Sequence, residues 1–182
     1  MKTHPHQIKL RSNWLKKPFI KTAFQSWLID ESSLTARLQR RYSDFEVHPL
    51  HIHTAKPMLD EVQVLGIARV KNTLIREVLL MGEHQPVVFA HSVLPTTCLR
   101  GAWQGLGKLG NKPLGAALFK NPKVIRTPLS YKKLSKNHKL YRNAVKHLVD
   151  PPTYLWARRS VFSLNCANIL VTEVFLPYLC HE

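Results

Sequence analysis

Acidic residues are scarce in this 182-residue chain, with 11 Asp+Glu against 27 Lys+Arg and a formal net charge of +16. That excess attracts anions at long range, but nucleic acid, an acidic membrane surface and a small dicarboxylate all remain open as the anion. Cysteine is nearly lacking as well. Cys98, Cys166 and Cys180 are odd in number and have no CxxC spacing, so neither a disulfide framework nor a thiolate zinc site is suggested, and a reducing cytoplasm fits. No apolar run approaches the roughly 20 residues that span a bilayer. Met1 to Lys17 is polar and basic without the apolar core of a signal peptide, so a soluble protein is expected. Nucleotide loops are missing too. Gly105, Gly107 and Gly110 do not follow a strand in a βαβ context, no Walker A sequence occurs, and there is no nucleophile elbow. His48, His51 and His53 bring no HExxH or carboxylate partner, which favours a surface role over a metal site.

What is present is a 45% hydrophobic chain, enough for one domain with a sizeable core. Residues 1–19 read as an arm and 20–182 as a single domain. Ala23 to Ile29 has helical spacing, and Asp30-Glu31-Ser32-Ser33 interrupts it ahead of a second helix with Ser32 or Ser33 as N-cap. Phe45 to Thr54 alternates as a strand interrupted at Pro49. Thr73 to Met81 and Pro86 to Leu94 form a hairpin around Gly82–Gln85. Thr96 to Gly110 reads as a short helix and a glycine-rich loop, and Pro113 opens another helix with Leu114 in its first turn. Lys120 to Val149 holds nine Lys/Arg and no acid. Within it, Leu134, Tyr141, Val145 and Leu148 predict an amphipathic helix over part of Tyr131 to Val149, a basic helical insertion of about 120–150. Tyr154 to Leu164 and Ile169 to Leu176 form a second hairpin about Asn165–Asn168. The order predicts an α+β domain on an antiparallel sheet.

Two charged residues interrupt the apolar strands. Glu173 shares a face with Val171 and Phe175, either as a strand-edge carboxylate reaching water or as a functional acid or acceptor. Arg76 shares a face with Leu74, Val78 and Leu80, but its neighbour Glu77 competes for the inward position, and alternation alone does not choose between them. An inward arginine would suit a carboxylate. Leu34 and Leu114 are either core leucines or donors of first-turn amides to an anion.

Taken together, Trp27 to Thr35, Ile75-Arg76-Glu77-Val78-Leu79-Leu80, Leu109 to Gly115, Trp156-Ala157-Arg158-Arg159-Ser160 and Leu170 to Pro177 resemble chorismate pyruvate-lyase, in the family's order and across most of the chain. The resemblance implies an antiparallel, about six-stranded sheet with helical flaps over an internal site, a monomer, and no metal or cofactor. It implies removal of pyruvate from chorismate to give 4-hydroxybenzoate for ubiquinone synthesis. Carried over by motif, the ligand contacts are Arg76, Glu173, Leu34 and Leu114. Arg76 and the two leucine amides would take the ring carboxylate, and Glu173 the ring hydroxyl, without a salt bridge between Arg76 and Glu173. Leu34 stands where the family often has methionine, and Ala90-His91 where it commonly has Gly-Arg.

The basic insertion is also longer than the family's usual connection. It reads either as a solvated face or as a docking surface for an anionic membrane. A non-catalytic effector-binding domain of related fold is the alternative function. It would expect an attached DNA-binding module, for which residues 1–43 offer little chain. A nucleic-acid binder rests on charge alone, without interleaved aromatics, and is not expected.

Overall fold

The computed structural model describes residues 14–18, 21–68, 71–106 and 110–180. Most of the expected arm, residues 1–13 and 19, lies outside them. The elements in chain order are α1 (Gln25–Ile29), α2 (Leu34–Arg41), β1 (Glu46–Ala55), α3 (Leu59–Leu65), β2 (Thr73–Gly82) and β3 (Gln85–Pro95). They continue with α4 (Leu114–Lys120), β4 (Ile125–Arg126), β5 (Ser130–Ser135), α5 (Lys139–Ala144), β6 (Tyr154–Leu164) and β7 (Ala167–Phe175).

All seven strands join one antiparallel sheet in the order β1-β2-β3-β7-β6-β4, with β5 also paired to β6. The β4 strand meets Phe162 and Ser163, while β5 meets Tyr154 to Arg159. Two short strands therefore share one edge of β6, and the sheet is six positions wide. Both hairpins turn through two left-handed residues, Glu83-His84 and Asn165-Cys166. Such turns match the strand twist. The first is held by Asp44, whose two carboxylate oxygens accept the Glu83 and His84 amides at 2.9 Å each. Pro49 sits beside a register irregularity in edge strand β1, where a missing N–H does least harm.

The central strands are buried on both faces because the sheet is covered on both. On one face Trp27, Leu28, Leu34 and Leu38 of α1 and α2 pack on Val78, Leu80, Val88 and Phe175, and Leu114 and Leu118 of α4 pack with Phe162 and Ile169. On the opposite face α5 covers Leu79, Phe89, Leu155 and Val174, and Leu65 of α3 meets Val93, Val161 and Leu170.

Two local expectations need correction. The amphipathic helix predicted within Tyr131 to Val149 shortens to α5 and a 3-10 turn at Val145–His147, because Ser130 to Ser135 is a strand. The free edge of β6 supplies hydrogen-bond partners there, and His138 ends the strand run by capping α5 through the Leu140 amide. The helix expected after Thr96 is only a 3-10 turn, Thr96–Arg100. Helix α3 had no counterpart in the expected elements. It is marked by Asp60 and Glu61 in its first turn, by Glu61 Oε2 accepting the Met58 amide at 2.7 Å, and by Gly66 in a left-handed C-cap.

Candidate active site

Between the flap helices and the sheet lies a narrow cavity with a volume of about 40 Å³. Its floor follows from strand register. Arg76 of β2 stands opposite Ser92 of β3, Ser92 opposite Val171 of β7, and Val171 opposite Ser160 of β6. The next row on the same face is Val78, Ala90, Glu173 and Arg158. The roof is the first turn of α2, Ser33 to Thr35, and the first turn of α4, Pro113 to Gly115. The four residues predicted from sequence, Arg76, Glu173, Leu34 and Leu114, therefore line one cavity.

Strand alternation settles Arg76 against Glu77: both are buried, on opposite faces of the sheet. The Arg76 Nη2 donates to the carbonyls of Gly110 and Lys112 at 3.0 and 3.1 Å, which fixes the fork beneath the loop entering α4. Its Nε is buried without a hydrogen-bond partner among the described residues. Burial pulls the guanidinium pKa down, because no carboxylate compensates for the lost water. A buried donor left open in this way fits a site built for an incoming anion.

Glu173 makes no ion pair with Arg76. Its partner is Arg158, a residue given no role by sequence reasoning although it lies within the Trp156 to Ser160 motif. Arg158 is fully buried, and its Nε donates to Glu173 Oε2 at 2.5 Å. Its Nη1 donates to the carbonyls of Trp27 and Asp30 at 2.6 and 2.5 Å. These carbonyls belong to the end of α1, so Arg158 caps that helix while it holds the carboxylate. Glu173 keeps one oxygen without a partner among the described residues and is one of the residues lining the cavity.

The two roof turns touch. An added Cβ on Gly115 would lie 2.9 Å from Thr35 Oγ1, so glycine permits the close approach of α4 to α2. Ser33 caps α2 by accepting the Ala36 amide, leaving first-turn amides such as that of Leu34 without intrahelical partners. Arg126 of β4 also lines the cavity and, like Arg158, received no role from sequence reasoning.

Ala90 belongs to the floor, whereas His91 faces away from the cavity. His91 is 3% exposed, with Nδ1 at 2.9 Å from Glu77 and Nε2 at 2.9 Å from Glu61. Burial alone would lower its pKa, but the two carboxylates overcome this and raise it to about 9. His48, His51 and His53 sit on exposed positions of β1. No group of three or more His, Cys, Asp or Glu suited to a metal ion occurs among the described residues.

Comparison with known proteins identifies the family and the fold. The profile of the chorismate lyase family matches residues 9–181. A probable chorismate pyruvate-lyase of Methylobacillus flagellatus is 46% identical over 168 residues, covering 92% of this chain and 94% of its own. Another, from Thiobacillus denitrificans, is 45% identical over 174 residues, covering 95% and 93%. Among solved structures, the effector domain of PhnF from Mycobacterium smegmatis aligns with a TM-score of 0.56 at 14% identity, over 81% of this chain and 90% of its own. A GntR-family regulator from Bacillus cereus gives 0.56 at 12%, over 74% and 93%. At such low identity these last two establish the fold alone, an α+β antiparallel sheet shared with regulator effector domains. The family profile and the near end-to-end relatives establish more, and the chain belongs to the chorismate lyase family.

Proposed function

We propose that this protein is a chorismate pyruvate-lyase that holds chorismate across the cavity floor and releases 4-hydroxybenzoate and pyruvate for ubiquinone biosynthesis. One observation carries the site assignment. The floor presents a buried arginine with an open Nε and, two strands away, a carboxylate with an open oxygen, each tied elsewhere and not to the other. Two strand spacings separate them laterally by roughly 10 Å at the backbone, a gap that inward side chains and one six-membered ring can fill.

In this reading Arg76, with the amides of Leu34 and Leu114, takes the ring carboxylate, and Glu173 accepts a hydrogen bond from the ring hydroxyl. The C3–O bond breaks with its electron pair leaving on the enolpyruvyl oxygen. The C4 hydrogen departs as a proton, its electron pair completes the aromatic ring, and the enolate carbon gains a proton to give pyruvate. Aromatisation supplies the driving force, so the protein's task is to hold the reactive conformer and to stabilise charge as it develops. Chorismate added to the purified protein should yield 4-hydroxybenzoate, with turnover lost in Arg76→Ala and cut sharply in Glu173→Gln. Near-normal turnover in both variants would sink the site assignment. Binding of 4-hydroxybenzoate with no turnover of chorismate by the wild type would favour an effector-binding domain instead.

The same reading places a single domain over residues 20–182, acting as a cytoplasmic monomer. No described helix is long and apolar enough to cross a membrane. Contact with anionic lipid through 120–150 is supported by Ile125 and Val149, 72% and 95% exposed among the lysines of that segment. Failure to co-sediment with anionic liposomes at low salt would remove that contact.

A further inference from the structure

Arg76 and Glu173 account for one carboxylate and one hydroxyl, which is all that 4-hydroxybenzoate carries. Chorismate has a second carboxylate, on the enolpyruvyl ether beside the hydroxyl-bearing carbon. The cavity face of the sheet has a matching surplus. Arg76 and Arg126 line it with a single carboxylate, Glu173, which is itself paired with the fully buried Arg158 of the same floor, so the three guanidinium groups exceed the carboxylate by two positive charges. Arg158 is ion-paired with Glu173 and Arg76 lies toward the β1 edge, which leaves Arg126 as the charge without an ion pair at the other end.

We propose that Arg126 is the receptor for the enolpyruvyl carboxylate of chorismate, and so the residue that distinguishes substrate from product. The proposal rests on the assignment of Arg76 and Glu173 made above. Arg126 pairs with Phe162 of β6, but its Nε donates to Ser160 Oγ at 2.8 Å, which brings the side chain back to the row that begins with Arg76. The two arginines thus stand at opposite ends of one floor row, with Glu173 in the adjacent row between them. Nη1 donates to the carbonyl of Glu31 at 2.6 Å, and Nη2 has no hydrogen-bond partner among the described residues. Both anchors are neutral oxygens, and no carboxylate forms an ion pair with this guanidinium among the described residues, although the Glu173 and Glu31 charges act on it through space. The guanidinium carbon also lies 5.4 Å from the Phe119 ring centre and 5.2 Å from that of Phe162. The two rings meet edge to face and hold the fork from the roof and the floor. Phe119 is 44% exposed, which sets this end of the cavity near solvent, where a severed three-carbon acid can leave. The charge that develops on the enolpyruvyl oxygen as the C3–O bond breaks falls on the same side, so Arg126 favours the leaving group as well as the bound dianion.

The test compares two ligands on Arg126→Gln and Arg126→Lys, using steady-state kinetics with chorismate and calorimetric titration with 4-hydroxybenzoate. In Arg126→Gln, kcat/KM for chorismate should fall about 100-fold. The Kd for 4-hydroxybenzoate should move less than about threefold, and Arg126→Lys should recover roughly a tenth of wild-type kcat/KM. A parallel loss for both ligands, or no loss for chorismate, would overturn the proposal. Should the glutamine variant fail to fold, the lysine variant decides alone, since it must weaken chorismate and spare 4-hydroxybenzoate. An inactive wild type, or an Arg76→Ala variant that binds 4-hydroxybenzoate normally, would instead strike at the underlying site assignment.

Discussion

The two faces of the sheet both bury charge, and they do so in opposite ways. Away from the cavity, His91 lies between Glu61 and Glu77, Asn143 donates to Glu77 at 3.0 Å, and Arg159 meets Asp60 at 2.9 Å. There each cation has an anion, and the charges fasten α3 to β2, β3 and β6. Toward the cavity, cations outnumber anions, Arg76 Nε is open, and one Glu173 oxygen is open. A network in which every cation has a carboxylate is a fastening, whereas one with cations in excess stores an unmet demand for a ligand. Residue type does not separate the faces, since Arg76 and Glu77 are adjacent in sequence and serve one each.

The comparison breaks most visibly at His91. Replacing it with alanine leaves Glu61 and Glu77 buried side by side with no cation, which should cost about 3–5 kcal/mol of stability by chemical denaturation. The kcat of the protein that remains folded should change little. Arg76→Met should show the reverse. Turnover should fall about 100-fold or more, as for loss of a group that stabilises transition-state charge. Its ligand-free stability should shift by less than about 1 kcal/mol, since the buried charge it removes had no carboxylate to satisfy it.

A smaller effect sharpens the fastening account through pH. The His91 pKa is raised from 6.5 to about 9, so its contribution to stability is complete below 6.5 and is lost as pH rises through about 9. Wild-type stability should therefore decline between pH 7 and 10 by at most about 1.4 kcal/mol per pH unit, and the His91→Ala profile should be flatter there. A wild-type profile no steeper than that of the variant would contradict the assigned charge. The smallest change belongs to the roof. Gly115→Ala must push Thr35 aside by a few tenths of an ångström, which should cost about 1 kcal/mol and raise KM severalfold with kcat largely kept.

The hairpins and the Ser33 cap were legible because turn chemistry and β-branched runs are local signals. Arg158 was missed for a register reason. With a four-residue turn at Asn165–Asn168, Ser160 would oppose Glu173. The actual two-residue turn at Asn165-Cys166 brings Arg158 opposite instead. Arg126 was hidden because β4 is two residues long and exists only where the edge of β6 supplies a partner. The outer network was equally illegible, because Glu61 and His91 are 30 residues apart and meet only once α3 crosses the sheet. Motif resemblance supplied what periodicity could not for Arg76, whose inward direction was undecided against Glu77 until the register was fixed by the family segments.

The most direct test of the unbalanced face is a crystal structure of the protein with 4-hydroxybenzoate. The account predicts the carboxylate on Arg76 and the Leu34 and Leu114 amides, the hydroxyl on the open oxygen of Glu173, and Arg126 Nη2 left without a ligand contact. A product molecule bound the other way round, with its carboxylate on Arg126, or bound outside this cavity, would contradict it.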